Sequence, residues 1–418
     1  MNAANGELDD ELIDWRFKGF PALAPGTTVS AFVAAKPLLF EAGFEWPVMA
    51  LRDSAIEHNV KVLAHWCSDR GISLAPHGKT TMTPALFARQ LAAGAWAMTA
   101  ATPWQVRAYR AFGVPRVLLA NELVDAAFVP WLVEQLADPA FDFLCYVDST
   151  AGVSLLGGAA SSSTRPIKVL VEVGVRDGRT GVRSTGEARE VAQAVNRSEG
   201  LSLVGVAGYE GPFGHGRDDV TLTAVDRYVT SLTDLLHELD KDALLDQRAD
   251  EYVLSCGGSG QVDVVSAALT RVPACSKPVR SVLRSGSYVT HDHGLYAQTS
   301  SLAAELRPAI ELWAQVWSRP EPGLALVGAG RRDVPFDSGL PIPLLRRSAS
   351  GELTPLHGTV TKLNDQHAFL SLAADEPLEV GDLVCLGISH PCTAHDKWQL
   401  LPLLDDERRV IDCVRSYF

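Results

Sequence analysis

The sequence predicts an α/β fold: a (β/α)8 barrel joined to a second, β-rich domain. Three observations carry that expectation. After the apolar run Val48-Met49-Ala50-Leu51, strand-like runs alternate with amphipathic segments eight times. Beyond about residue 305 the texture changes to short β-rich runs separated by turn residues. The length of 418 residues, 47% of them hydrophobic, also exceeds the roughly 250 that a barrel uses by itself.

The eight strands are read as 72–75, 96–99, 117–120, 141–147, 167–173, 203–207, 252–255 and 279–283. Helix-like stretches fall at 53–68, with Asp53 as a plausible N-cap, and at 84–93, 104–112, 126–136, 187–195 and 222–239. An open doubly wound sheet is the alternative to a closed barrel on this pattern. The β-rich runs are 312–317, 324–327, 358–363, 368–371 and 383–388, punctuated by Pro320, Pro322, Gly323, Pro341 and Pro343. Residues 46–305 are therefore assigned to the barrel, and 1–45 with 306–418 to the β-rich domain. The first 45 residues read as an irregular arm with short strands, and 161–164 as a surface loop.

A formal net charge of -13 does not favour nucleic acid or an anionic membrane as a partner. The seven cysteines are odd in number and irregularly spaced, which suits reduced thiols and a cytoplasmic setting better than a disulfide framework. Acidic residues crowd the first twenty positions where a secretory signal would be basic and then apolar. No window approaches the roughly 18 uninterrupted apolar residues of a membrane span.

The chemistry concentrates in short motifs. Pro76-His77-Gly78-Lys79-Thr80 follows the first barrel strand, so Lys79 sits at the strand's C-terminal mouth. A partly desolvated lysine there forms a Schiff base with an aldehyde. A lone loop lysine is ordinarily just solvated, and the neighbouring motifs are what argue otherwise. Ser255-Cys256-Gly257-Gly258-Ser259-Gly260 follows the seventh strand and Arg284-Ser285-Gly286-Ser287-Tyr288 the eighth, where barrels commonly receive phosphate on glycine-rich loops. Arg179 and Tyr209 lie just past the fifth and sixth strands and face the same mouth. A surface ion pair and a packing role are the plainer readings of these two.

In the β-rich part, Ser389-His390-Pro391-Cys392 places an imidazole and a thiol two residues apart, on one side of extended backbone. Imidazole and thiolate suit zinc, and two protein ligands leave positions open for water and substrate. A buried cysteine beside a satisfied histidine is the commoner meaning of this spacing. His215, His291, Asp292, His293, His367, His395 and Asp396 are lesser candidates.

From these motifs the chain resembles the pyridoxal-phosphate enzymes of the alanine-racemase fold, and more narrowly the D-serine dehydratase and D-threonine aldolase family. The resemblance runs in order through Pro76–Thr80, Ala101-Thr102-Pro103-Trp104, the Asn121 region, Arg179-Thr180-Gly181, Cys256–Ser259, Gly286–Tyr288 and His390–Cys392, over roughly residues 45–418. It implies that Lys79 carries pyridoxal 5'-phosphate and takes the substrate α-proton. It further implies that Arg179 contacts the cofactor on its ring side and that Tyr209 lies against it. Gly257, Gly258, Ser259, Gly286 and Tyr288 would hold its phosphate. His390 and Cys392 would bind a divalent metal, Zn2+ or Mn2+, that grips a β-hydroxyl. A homodimer is implied, with the N-terminal arm packed on the β-rich domain. Gln105 stands where many relatives have an acid; Gly78 and His395 also depart from the pattern, which touches substrate choice more than cofactor choice.

The function so implied is a lyase that converts a β-hydroxy D-amino acid, such as D-serine or D-threonine, to a 2-keto acid and ammonia. Cys392, where aldolases of the resemblance more often have aspartate, tilts the reading toward dehydration. An aldolase giving glycine and an aldehyde, an amino-acid racemase, and a non-catalytic pyridoxal-phosphate-binding protein are the alternatives. The C-terminal domain argues against the last, and no second base for racemisation is identified.

Overall fold

The computed structural model describes residues 8–418. The chain divides into two compact units, each returning to the other's sequence. One comprises residues 63–79 and 90–286; the second comprises 1–62, 80–89 and 287–418. The first strand, β1 (Val48–Arg52), belongs to the second unit, and the next eight belong to the first.

These eight are β2 (Ser73–Leu74), β3 (Met98–Ala100), β4 (Arg116–Glu122), β5 (Asp142–Val147), β6 (Ile167–Val173), β7 (Leu201–Gly208), β8 (Tyr252–Cys256) and β9 (Val279–Leu283). They form one parallel sheet in the order β2-β9-β8-β7-β6-β5-β4-β3. The sheet closes on itself. Past the end of β2, His77 bridges Thr99 in parallel, and the amides of Trp96 and Thr99 donate to the carbonyls of Leu74 (2.7 Å) and Pro76 (2.8 Å). The predicted barrel is thus observed, and closure excludes the open-sheet alternative. Its interior is filled by Ala75, Leu118, Leu144, Tyr146, Leu170, Val204, Val253 and Val282, apolar side chains pointing inward from successive strands.

The helices start where the sequence supplies caps. Thr102, Ser149 and Ser184 each accept the amide three residues on, and Asp218 accepts the amides of Val220 and Thr221. Gln105 Oε1 accepts the Ala101 N–H at 2.7 Å at the start of its helix, a task that glutamine and glutamate perform alike. Helices at Thr150–Ala159 and Val262–Leu269 were not among those read from the sequence; in the first, small and apolar residues leave little amphipathic contrast.

In the second unit, β1 pairs antiparallel with β10 (Ile310–Glu321) and parallel with the strand at 400–404. The remaining strands are β11 (Leu324–Val327), β12 (Ile342–Arg347), β13 (Leu353–Pro355), β14 (Thr359–Leu363), β15 (Ala368–Ser371), β16 (Leu383–Gly387), β17 (Leu400–Leu404) and β18 (Val410–Arg415). The sequence had indicated five of these nine C-terminal strands. β12, β13, β17 and β18 carry proline, arginine or aspartate, which blurs their alternation. The arm that precedes β1 includes a helix at Val29–Ala34. Its Phe17, Phe20, Phe32 and Phe44 enter the same core as Val48, Trp313, Cys385 and Val410. Expectations that fall on residues 1–7 lie outside the described residues.

None of the seven cysteines forms a disulfide. Among the described residues, no helix is long and apolar enough to cross a membrane.

Candidate active site

The C-terminal ends of the barrel strands bring most of the predicted residues of the first unit to one mouth. Lys79 lies in a single 3-10 turn, Gly78–Thr80, directly after β2. Burial, and then the nearby cations Lys79, Arg284 and Arg179, hold the His77 imidazole well below its ordinary pKa. A buried Nδ1 of this ring has no hydrogen-bond partner among the described residues. Three cations gathered around a neutral ring at a barrel mouth make a positive site suited to a phosphate anion.

The glycines are there because backbone passes too close for side chains. A Cβ at Gly286 would lie 2.4 Å from the His77 carbonyl oxygen, so the turn after β9 is pressed on the lysine segment. Gly257 has φ of +107°, and a Cβ there would meet Leu283 Cδ1 at 2.4 Å. The Gly258 N–H donates to Glu210 Oε1 at 2.6 Å, so an anionic oxygen already occupies one donor of this turn. Ser259 and Ser285 share a hydroxyl–hydroxyl bond of 2.8 Å across the two turns.

Arg179 stacks over the Tyr209 ring, 4.5 Å from its centroid. The Tyr209 amide donates to the Tyr228 hydroxyl at 3.0 Å, which itself donates to the Val173 carbonyl at 2.6 Å. Arg284, read in the sequence only as part of its turn, proves to be buried inside the barrel. It donates to Ser255 Oγ (2.5 Å) and to the Gly208 carbonyl (2.6 Å). Its signal was available: a basic residue at the end of an apolar strand is placed for function or for a buried pair.

The sequence reading also missed a carboxyl pair. Burial, then Glu172 and Asp148, push the Glu122 carboxyl up to about 8. Both Glu122 oxygens and Glu172 Oε2 are buried without hydrogen-bond partners among the described residues. At the opposite, N-terminal ends of the strands is a cavity of about 500 Å3. Several of its charged residues are paired with each other, Arg116 and Lys168 with Asp142 and Arg248 with Asp246, which reads as stability rather than chemistry.

The division between the units runs between Lys79 and Thr80 and between Gly286 and Ser287, so the second unit begins at each point with a hydroxyl residue. Within that unit the Cys392 thiol has Ser287 Oγ at 3.4 Å and Thr80 Oγ1 at 4.0 Å. His390 Nδ1 has Ser338 Oγ at 3.3 Å and Asp337 Oδ2 at 3.5 Å, and Tyr296 packs edge-on to its ring at 5.4 Å. Tyr288, buried in the 3-10 turn Ser287–Val289, belongs to this unit as well. Among the described residues, no group of three or more His, Cys, Asp or Glu side chains is arranged to hold a metal. His390 and Cys392 lie in one segment of that unit, between β16 and β17.

Three of the lesser candidates have packing or capping surroundings. Asp292 accepts the amides of Gly294, Tyr296 and Ala297. His367 lies edge-on to Trp317 at 5.3 Å, and His395 is buried in the core.

A closed barrel with a lysine at its first mouth position and glycine turns after its last two strands defines the class of protein. The chain belongs to the family described as "Alanine racemase, N-terminal domain", whose profile matches residues 52–268. Residues 309–404 match a second profile, "Putative serine dehydratase domain". The chain is 26% identical over 348 residues to a D-threonine aldolase of an Arthrobacter species, covering 82% of this chain and 85% of the relative. It is 24% identical over 381 residues to a 3-hydroxy-D-aspartate aldolase of Paracoccus denitrificans, covering 89% and 92%. Among solved structures it superposes on a D-threonine aldolase from Filomicrobium marinum with a TM-score of 0.74 at 24% identity, over 89% of this chain and 94% of that one. For a D-threo-3-hydroxyaspartate dehydratase from a Delftia species the values are 0.73 and 20%, over 89% and 97%. At these identities the structural matches establish the fold.

Proposed function

We propose that the protein is a pyridoxal-phosphate-dependent, metal-assisted lyase that dehydrates a β-hydroxy D-amino acid, such as D-serine or D-threonine, to a 2-keto acid and ammonia. The observation that carries the cofactor assignment is the placement of Lys79 in the 3-10 turn after β2, with the Gly286 turn pressed against the adjoining His77 backbone. Lys79 would hold the cofactor. Arg179 and Tyr209 would flank its ring, and Gly257, Gly258, Ser259, Gly286 and Tyr288 would receive its phosphate, with Glu210 yielding the Gly258 amide.

Bound pyridoxal phosphate supplies an electron sink for the pair left at Cα. Lys79 Nζ would take the α-proton, which leaves with the hydroxide from Cβ as water. Arg284 keeps a fixed positive charge under the mouth, held by Ser255 and Gly208. A divalent cation, Zn2+ or Mn2+, would sit on His390 and Cys392 and supply Lewis acidity to the β-oxygen. The Ser287 and Thr80 hydroxyls beside the thiol support a thiolate by hydrogen bonding. A cysteine-to-alanine variant of the related hydroxyaspartate dehydratase is described in a metal-free form, which supports metal binding at a cysteine in that protein. Loss of water across Cα–Cβ and hydrolysis of the resulting enamine balance the reaction: D-serine gives pyruvate and ammonium.

A second reading is cleavage to glycine and an aldehyde. Both sequence relatives are named aldolases, which favours it. Cys392, a thiol where carboxylate is more usual in aldolases of the resemblance, favours dehydration. The reading extends to a cytoplasmic homodimer that handles small molecules, in keeping with seven cysteines that form no disulfide and the net charge of -13. A panel of D- and L-β-hydroxy amino acids, assayed for 2-keto acid, for glycine and for the enantiomer, with and without chelator, separates the readings. Keto acid from D-substrates, abolished by chelator, is expected; glycine with aldehyde as the sole products would overturn dehydration.

A further inference from the structure

The turn 335–339, between β11 and β12, is fastened to the segment that carries His390 at three points. Ser389 Oγ donates to the Gly339 carbonyl at 2.8 Å. Thr393 Oγ1 donates to Asp337 Oδ1 at 2.9 Å. The other Asp337 oxygen, Oδ2, faces His390 Nδ1 at 3.5 Å, with Ser338 Oγ at 3.3 Å from the same nitrogen. Gly339 permits this fold-back with φ of +113°. The His390 ring is nearly buried, and Tyr296 packs edge-on to it at an interplanar angle of 83°. Tyr296 is itself held by the Asp292 carboxylate through its amide at 3.0 Å.

A surface ion pair would need none of this fastening. Asp337 has one oxygen occupied by a threonine two residues past the proline that follows His390, which aims the second oxygen at the ring. A carboxylate opposite Nδ1 draws the imidazole proton to that nitrogen. The lone pair then resides on Nε2, in the tautomer a metal requires, and the ring cannot swing.

We propose that Asp337, seated by Thr393, is a positioning residue that sets the tautomer and orientation of His390 as a metal ligand. The inference rests on the reading of His390 as a ligand and goes beyond it. The loss of such an outer carboxylate typically weakens metal binding about 10- to 100-fold.

The test is a zinc titration of the full-length holoprotein against a chromophoric chelator, for wild type and for Asp337→Asn, Asp337→Ala, Asp337→Glu and His390→Ala. Asp337→Asn keeps size and removes the charge. Its zinc dissociation constant is expected to rise about 10-fold or more, and that of Asp337→Ala further, with partial recovery in Asp337→Glu. Cofactor content by absorbance and melting temperature should stay at wild-type values. In cobalt-loaded protein the ligand-field bands of Asp337→Asn should shift, which a merely structural residue would not cause. If His390→Ala loses zinc while both Asp337→Asn and Asp337→Ala bind it within about twofold of wild type, the inference alone is overturned. If His390→Ala binds zinc as wild type does, or the wild type takes up none, the ligand reading falls and the inference with it. If weaker zinc binding comes only with lost cofactor and a lower melting temperature, Asp337 is structural and the positioning role is overturned.

Discussion

The guanidinium carbon of Arg179 lies over the ring of Tyr209, 4.5 Å from the centroid. The two residues come from loops after different strands, β6 and β7, so the stack is a tertiary contact and not a local one. It orients a guanidinium fork that lysine cannot reproduce. Arg179→Lys and Arg179→Ala are expected to weaken cofactor binding by about 1.5–3 kcal/mol, the worth of a charge-assisted bond. That is roughly a 10- to 100-fold rise in the cofactor dissociation constant, read by absorbance or fluorescence titration of the apoprotein. Tyr209→Leu should lose part of the same affinity.

The turn after β9 tolerates no side chain at Gly286. An added Cβ would meet the His77 backbone at 2.4 Å, and backbone cannot rotate away as a flexible side chain can. Gly286→Ala should destabilise the barrel unit by about 1–3 kcal/mol, the usual cost of overpacking. It should also displace the lysine segment, so that cofactor content falls together with melting temperature. Normal cofactor occupancy in this variant would contradict the close approach.

Glu122 gives the barrel a pH dependence of definite sign. Burial, with Glu172 and Asp148 nearby, raises its carboxyl from about 4.5 to about 8. The folded state therefore holds a proton that the unfolded chain releases earlier. The associated stability is complete below pH 4.5 and is lost as the pH rises through 8. Glu122→Gln should flatten the fall in melting temperature across that window. An unchanged profile would contradict the raised Glu122 carboxyl.

The histidines of the β-rich unit act in the opposite direction. Burial lowers His395 to about 4, and His291 and His293 likewise. Both ring nitrogens of His395 are buried without partners among the described residues. Native His395 stays neutral where the unfolded residue charges, so its stability is present above pH 6.5 and is lost as the pH falls through 4. The full effect for His395 is about 3 kcal/mol. His395→Leu should melt less steeply on acidification between those limits than wild type, as followed by circular dichroism.

The barrel was legible because its eight strands are apolar runs of ordinary spacing, several of them followed by a helix with a Ser, Thr or Asp cap. Lys79 and the turns at Gly257 and Gly286 were legible from position alone, at the C-terminal ends of strands. What could not be read is what depends on long-range contact. Arg284 reports its burial only through Gly208 and Ser255, far away in sequence. The Glu122–Glu172 pair joins two strands separated by a third. Asp337 meets His390 across 53 positions of the chain, a separation set by β12 through β16. The run at 48–51 looked like the lead-in to the barrel, yet β1 hydrogen-bonds to β10 and β17, because an apolar strand carries no mark of which sheet will accept it.

The central claim is that the Lys79 side chain forms the covalent link to pyridoxal phosphate. The most direct test is borohydride reduction of the purified holoprotein followed by proteolysis and mass spectrometry. One pyridoxyl-modified peptide spanning Pro76–Thr80, with the adduct on Lys79, is the result expected. An adduct confined to another lysine, or no adduct in protein that shows the cofactor's absorbance, would contradict it.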